Sequence, residues 1–273
     1  MNKKSYPELI NGKMPPWIHR FIKQAGRSIN TYSMIRSNDR ILLAISGGKD
    51  SLALALALSL RRRWLPIDYA LEGVLINWRE HPISPKQLDE LSAYFDALQI
   101  PLTIITADMF SQSFKGEFNC YLCSRNRRRI LFTEADQRKI NIVAMGHHMD
   151  DLVETTLINL CFRGNFSTML PVQEFFSGKL HLIRPLIEVK EHTLTRLVEE
   201  YDLPVAKPVC PFDQTNIRSK LKPIIRDLSR IDKLTREHIF DAHGFTCRIP
   251  RCEYEGHTSC REHCAQETEP PSA

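Results

Sequence analysis

Ile41 to Leu60 reads ILLAISGGKDSLALALALSL, and the reading of the whole chain turns on its centre, Ser46-Gly47-Gly48-Lys49-Asp50-Ser51. The apolar run Ile41 to Ile45 has the length of a buried strand. Leu52 to Leu60 alternates Leu with small residues, the composition of a fully buried helix. A strand, a glycine turn and a helix point free backbone N–H groups and a positive dipole end at an anion. Gly47 and Gly48 permit close backbone approach because they have no β-carbon. The hydroxyls of Ser46 and Ser51 and the ammonium of Lys49 add donors. The turn is shorter than the Walker spacing, so the stretch predicts a different kind of phosphate-binding turn.

The pattern repeats outward. Tyr69 to Asn77, Leu102 to Thr106 and Ile142 to Met145 read as further strands, and Ser84 to Gln99 as a helix with Leu88, Leu91 and Phe95 inward. Strands alternating with helices predict an α/β fold with a doubly wound, mostly parallel sheet. Ligands of such sheets sit beyond the carboxyl ends of the strands, where the glycine turn lies. Residues 1–16 read as a loose arm, followed by a short N-terminal helix from Trp17. Arg61-Arg62-Arg63 suits the negative end of the first sheet helix, with RNA contact as the alternative. Leu194 to Tyr201 and Ile217 to Leu228 read as amphipathic helices, the second kinked or restarted at Pro223. The cations of that last stretch form either a solvated face or an RNA-binding face. The expected divisions are residues 1–38 (arm and helix), 39–235 (nucleotide-binding catalytic domain) and 236–273 (a Cys/His-rich segment with a disordered end).

With 273 residues, 42% apolar and 25% charged, the chain is globular in composition. A net charge of +5 is mild, so any nucleic-acid surface is a local patch. Met1 to Trp17 lacks a signal-peptide core and no run reaches membrane-spanning length. The expected location is the cytoplasm, and eight cysteines there point to metal or catalysis before disulfides.

Cys120 and Cys123 form a CxxC before the basic run Arg125 to Arg129, whose charge favours metal-ligating thiolates. A redox pair is the alternative. Cys210 is a third core-region cysteine, and Cys161, four after Leu157, reads as core packing. Three cysteines leave either a cluster with one open iron or a zinc with an open position. Gly146-His147-His148-Met149-Asp150-Asp151 ends the fourth strand and opens a helix. Its carboxylates either cap that helix or hold Mg²⁺ and move protons at the sheet edge. His147 either orients a substrate group or is structural. In the tail, Cys247, Cys252, Cys260 and Cys264 with His243, His257 and His263 are candidates for a separate Zn²⁺ site, for free thiols or for a sulfur relay.

Ser46 to Ser51 resembles the PP-loop of the N-type ATP pyrophosphatases, of the adenine nucleotide alpha hydrolase-like fold. Together with the CxxC, the GHHxDD motif, Ile183-Arg184-Pro185-Leu186 and the lone Cys210, it resembles the TtcA family, the tRNA 2-thiocytidine biosynthesis enzymes. The chain departs from that family at Met149, where Arg is usual, and at Cys210, where a second CxxC is usual. The resemblance implies ATP and Mg²⁺ bound at Ser46, Gly47, Gly48, Lys49, Asp50 and Ser51. It implies a 4Fe–4S cluster on Cys120, Cys123 and Cys210, with catalytic roles for Asp50, His147 and Asp151 and a Mg²⁺ role for Asp150. The expected reaction adenylates the C2 oxygen of an anticodon-loop cytidine and replaces it with sulfur. Arg125, Arg128, Arg163 and Arg218 are the candidate tRNA contacts. A sulfur donor such as a cysteine desulfurase and a homodimer are the further partners implied. The alternatives are a PP-loop ligase without sulfur transfer, a zinc-type thiolase acting on uridine, and a non-catalytic RNA-binding redox sensor.

Overall fold

Ile41, Leu43 and Ile45 alternate with Leu42 and Ala44 along β1 (Arg40–Ile45), so this strand is apolar on both faces. Both faces are covered, and the two sides of the strand enter separate hydrophobic clusters. The computed structural model describes residues 4–64, 67–110, 120–206 and 217–245. Around β1 it builds a sheet from β2 (Ala70–Trp78), β3 (Leu102–Ala107), β4 (Ile142–Ala144), β5 (Val172–Phe175) and β6 (Leu180–Ile183). The order is β3-β2-β1-β4-β6-β5. Every neighbouring pair is parallel except β5 with β6. The strand order reverses between β1 and β4, and the crevice at such a switch point is where ligands bind.

The larger cluster is closed by α2 (Pro16–Thr31), α3 (Lys49–Arg62), α4 (Pro85–Ala97), α6 (Met149–Arg163) and α7 (Glu191–Tyr201). The opposite face is closed by α5 (Cys120–Gln137), through Leu131 and Ala135 packed on Leu42, Val74 and Val143. Two further helices, α8 (Ile217–Ile231) and α9 (Thr235–Asp241), lie against α6. Every residue of α3 from Ser51 to Arg61 is buried, as the Leu/Ala run between Leu52 and Leu58 leads one to expect. Arg61 donates to Asn30 Oδ1 at 2.9 Å and Arg63 to the Ile10 carbonyl at 2.6 Å, so both are spent on internal bonds. Among the described residues no helix is long and apolar enough to cross a membrane.

Four local expectations change. The arm carries a helix, α1 (Tyr6–Asn11), because Leu9 and Ile10 find a buried site. Cys161 is exposed rather than core, because the last turn of α6 projects past the body, with Leu160 and Phe162 exposed beside it. The β5–β6 hairpin has no counterpart in the sequence reading: its strands are four residues each, too short to display a period. α8 continues through Pro223 instead of restarting, since Leu221 and Ile225 are buried on either side of it.

Candidate functional site

The turn after β1 is tied to itself. Ser51 Oγ donates to the Gly48 carbonyl at 2.8 Å, and the Gly48 N–H donates to Ser46 Oγ at 3.2 Å. The Ser46 N–H donates to Ser51 Oγ at 3.3 Å. Gly47 has φ +76°, a left-handed value that only glycine adopts cheaply. Gly48 is the N-cap of α3, and no side chain caps that helix. An uncapped N-terminus presents unpaired N–H groups and a positive dipole end, which together form an anion site.

The turn after β4 meets it directly. A β-carbon on Gly146 would stand 2.7 Å from the Asp50 carbonyl oxygen and 3.0 Å from the Ser51 nitrogen. From there α6 begins with a reciprocal cap: His148 Nδ1 accepts from the Asp151 N–H at 3.4 Å, and Asp151 Oδ2 accepts from the His148 N–H at 3.1 Å. His148 is therefore a structural histidine, and Asp151 serves both the cap and the cleft.

Between the two turns lies a cleft of 540 Å³. Of the residues singled out in sequence, Ser46, Asp50, Ser51, His147, Asp151, Arg128 and Arg218 line it. Lys49 does not, although its helix starts there. Its ammonium lies 2.9 Å from Asp50 Oδ1 and 3.0 Å from Glu191 Oε1. Burial opposes that charge, but the two carboxylates raise the Lys49 pKa above its ordinary value. Asp150 also points elsewhere: Oδ2 accepts from the Glu191 N–H at 2.7 Å and Oδ1 from Arg236 Nε at 2.6 Å. It caps α7 and anchors α9.

Asp151 is held ionised. Burial raises its pKa, but His148, His147, the His148 N–H and Arg218 outweigh burial and bring it below the usual carboxylate range. Arg218 Nη1 stands 3.5 Å from Asp151 Oδ1, and Nη2 donates to Thr155 Oγ1 at 3.3 Å. His147 is pushed down to about 4 by burial, aided by Arg184 and Arg218, and is neutral at pH 7. Its Nδ1 is buried with no hydrogen-bond partner.

Arg184 received no role in the sequence reading and is the most buried cation of the cleft, only 6% exposed. It donates to the Leu170 carbonyl and, at 3.4 Å, to Gln173 Oε1. Its Nε is unsatisfied. Burial, followed by repulsion from Arg128, lowers its pKa to about 10. Ile183-Arg184-Pro185-Leu186 was visible as a motif, but only packing shows that this arginine turns inward at the end of β6. Arg127 lines the same wall. Four guanidinium groups against two carboxylates describe a site for a strongly anionic ligand.

The cysteine set is partly in view. Cys123 is half-buried on the first turn of α5, with Cys120 three residues earlier on the same helix. Ser124, Arg127 and Arg128, which follow on that helix, line the cleft. Cys120 and Cys123 thus both belong to the first turn of α5, the helix whose next residues line the cleft. Cys210 lies outside the described residues. So do Cys247, Cys252, Cys260, Cys264, His257 and His263. His243 is described: its Nε2 is 2.8 Å from Thr156 Oγ1, and its ring stacks on Phe166 and Phe245. Arg125 sits outside the cleft on α5, and Arg163 is exposed on the last turn of α6.

Comparison with known proteins follows the same lines. The PP-loop domain family matches residues 18–227. Two curated relatives named tRNA-cytidine(32) 2-sulfurtransferase are similar: that of Burkholderia orbicola (strain MC0-3), 34% identical over 213 residues, and that of Burkholderia ambifaria (strain MC40-6), 33% identical. Each match covers 76% of this chain, but 63% and 62% of the respective relatives' length. Among solved structures, the U34-tRNA thiolase NcsA from Methanococcus maripaludis with its 4Fe–4S cluster superposes with a TM-score of 0.71 at 19% identity. That superposition covers 94% of this chain and 90% of the other, and shows a shared fold.

Proposed function

Because this chain belongs to the PP-loop domain family, we propose that it is an ATP-dependent tRNA sulfurtransferase acting on an anticodon-loop cytidine. The observation that carries this reading is that one helix, α5, bears the CxxC cysteines at its start and lines the phosphate-binding cleft one turn later. The names of the relatives, tRNA-cytidine(32) 2-sulfurtransferase, support the substrate and the reaction.

ATP takes its place with its phosphates on the uncapped N-terminus of α3 and the Ser46 to Ser51 turn. A nucleobase carbonyl oxygen is a poor leaving group. Its attack on the α-phosphorus expels pyrophosphate, and the oxygen can then depart as part of AMP. Arg128, Arg184 and Arg218 offset the charge that accumulates on the phosphoryl oxygens. Asp151, kept ionised, accepts a proton or a Mg²⁺ ion rather than donating a proton. Asp50 is the second cleft carboxylate suited to Mg²⁺, and Asp150, with both oxygens engaged, acts in structure. Neutral His147, which lines the cleft, orients the acceptor base without adding charge. Cys120, Cys123 and Cys210 would hold a 4Fe–4S cluster, which supplies a sulfur nucleophile when bound. Sulfur is replenished by an external donor of the cysteine desulfurase kind.

The test is an assay without oxygen, with ATP, Mg²⁺, sulfide and a tRNA transcript, reading pyrophosphate and thionucleosides together. Pyrophosphate release coupled to thiocytidine is the expected result. Pyrophosphate released with no sulfur in the RNA overturns the reading in favour of a ligase.

A further inference from the structure

The outer face of α5 meets the turn of the β5–β6 hairpin in a groove of 870 Å³. Its walls carry two exposed aromatic rings, Tyr121 and Phe176, at 66% and 62% exposure. Phe132 lies at the base, and Phe176 stands edge-on to it with ring centroids 6.0 Å apart. The rim is cationic, with Arg125, Arg129 and Lys179, and Asp136 is the one acid among the described lining residues. Arg128 lines both this groove and the cleft, so the two are contiguous.

Phe176 is costly where it stands. It has φ +54°, unfavourable for a bulky side chain, and Ser177 follows at +56°. Asn or Gly would serve such a hairpin turn at lower cost. The ring is also mostly in water, so burial does not compensate. An exposed aromatic in a strained turn, beside a second aromatic and a row of cations, matches the chemistry of unpaired nucleotides: faces for bases and charge for phosphates.

We propose that this groove binds the unstacked nucleotides flanking the base that enters the cleft, with bases stacked on Tyr121 and Phe176 and phosphates held by Arg125, Arg129 and Lys179. The proposal rests on the RNA-modifying reading above. A base can reach the cleft only by leaving its stack, and its neighbours then need new stacking partners close by. Arg128 spans the boundary between the two sites.

The experiment measures binding of the full chain to two fluorescent RNAs at equal ionic strength: a stem-loop with an unpaired anticodon-type loop, and the blunt duplex of its stem. The wild type should prefer the stem-loop. Phe176→Asn and Tyr121→Ala should each weaken stem-loop binding about tenfold or more and erase the preference. The melting temperature of Phe176→Asn should not fall, because Asn tolerates a positive φ, whereas a purely structural phenylalanine would register as lost stability. Variants that bind the stem-loop like the wild type overturn the groove while the function above stands. So does equal wild-type affinity for loop and duplex. Variants that keep RNA affinity but lose uptake of sulfur from a protein donor overturn it in favour of protein docking. A wild type that binds neither RNA overturns both the groove and the function it rests on.

Discussion

The N–H of Ala206 donates to the carbonyl of Gly47 at 2.9 Å, joining the segment after α7 to the middle of the glycine turn that precedes α3. A β-carbon on Gly47 would stand 2.1 Å from the Ala206 carbonyl oxygen. The glycine is therefore required twice, by its left-handed φ of +76° and by this contact.

Gly47→Ala should cost about 1–2 kcal/mol in backbone conformation alone, with more from displacing Ala206. ATP affinity, measured by calorimetry, is expected to fall about tenfold or more. An unchanged affinity would show that the contact is dispensable.

Gly146→Ala strikes the backbone of Asp50 and Ser51, which has no rotamer to yield. It should separate the two turns at the crevice. The expected result is a soluble protein with lowered melting temperature and little pyrophosphate release, whereas Gly164→Ala on the open end of α6 leaves release intact.

Asp150 and Asp151 are adjacent in sequence but do different work. Asp151→Asn keeps an oxygen to cap α6 but loses the charge facing Arg218, so turnover should fall about a hundredfold or more with small loss of stability. Asp150→Ala removes the acceptor for the Glu191 N–H and the partner of Arg236, and should cost roughly 1.5–3 kcal/mol of stability. Chemical denaturation beside single-turnover kinetics separates the two effects.

Glu191 has its pKa lowered to about 2: burial works against this, but Lys49 and Lys222 prevail. Its ordinary value is 4.5, so between pH 4.5 and about 2 the unfolded chain binds the extra proton. Stability therefore rises with pH across that window. The stability that wild type holds over Glu191→Gln should be complete above pH 4.5 and vanish near pH 2. Equal acid limbs in the two denaturation profiles would remove Glu191 from the network.

Protein purified without oxygen should contain about four iron and four sulfide per chain, and Cys123→Ala and Cys210→Ala should each lose or degrade that content. Zinc without sulfide in the wild type would point to a zinc-type thiolase. Full iron in Cys210→Ala would remove that cysteine from the ligand set.

Much of this architecture was legible in one dimension because its signals are local. The buried strand before Ser46, the glycine pair and the Leu/Ala helix depend only on composition and spacing, and they define a parallel sheet with an anion site at its edge. The carboxylates of the GHHMDD motif could likewise be placed at the start of a helix, whereas the CxxC, expected ahead of the basic helix, lies within its first turn. What spacing could not reveal was direction. Tertiary packing alone decided that Lys49 turns to Glu191, that Asp150 faces Arg236 while Asp151 faces the cleft, and that Arg184 points inward. It also decided that a hairpin of two short strands sets Phe176 beside α5. Such assignments depend on partners from 11 to 142 residues away, and neighbours at those separations exist only once the chain has folded.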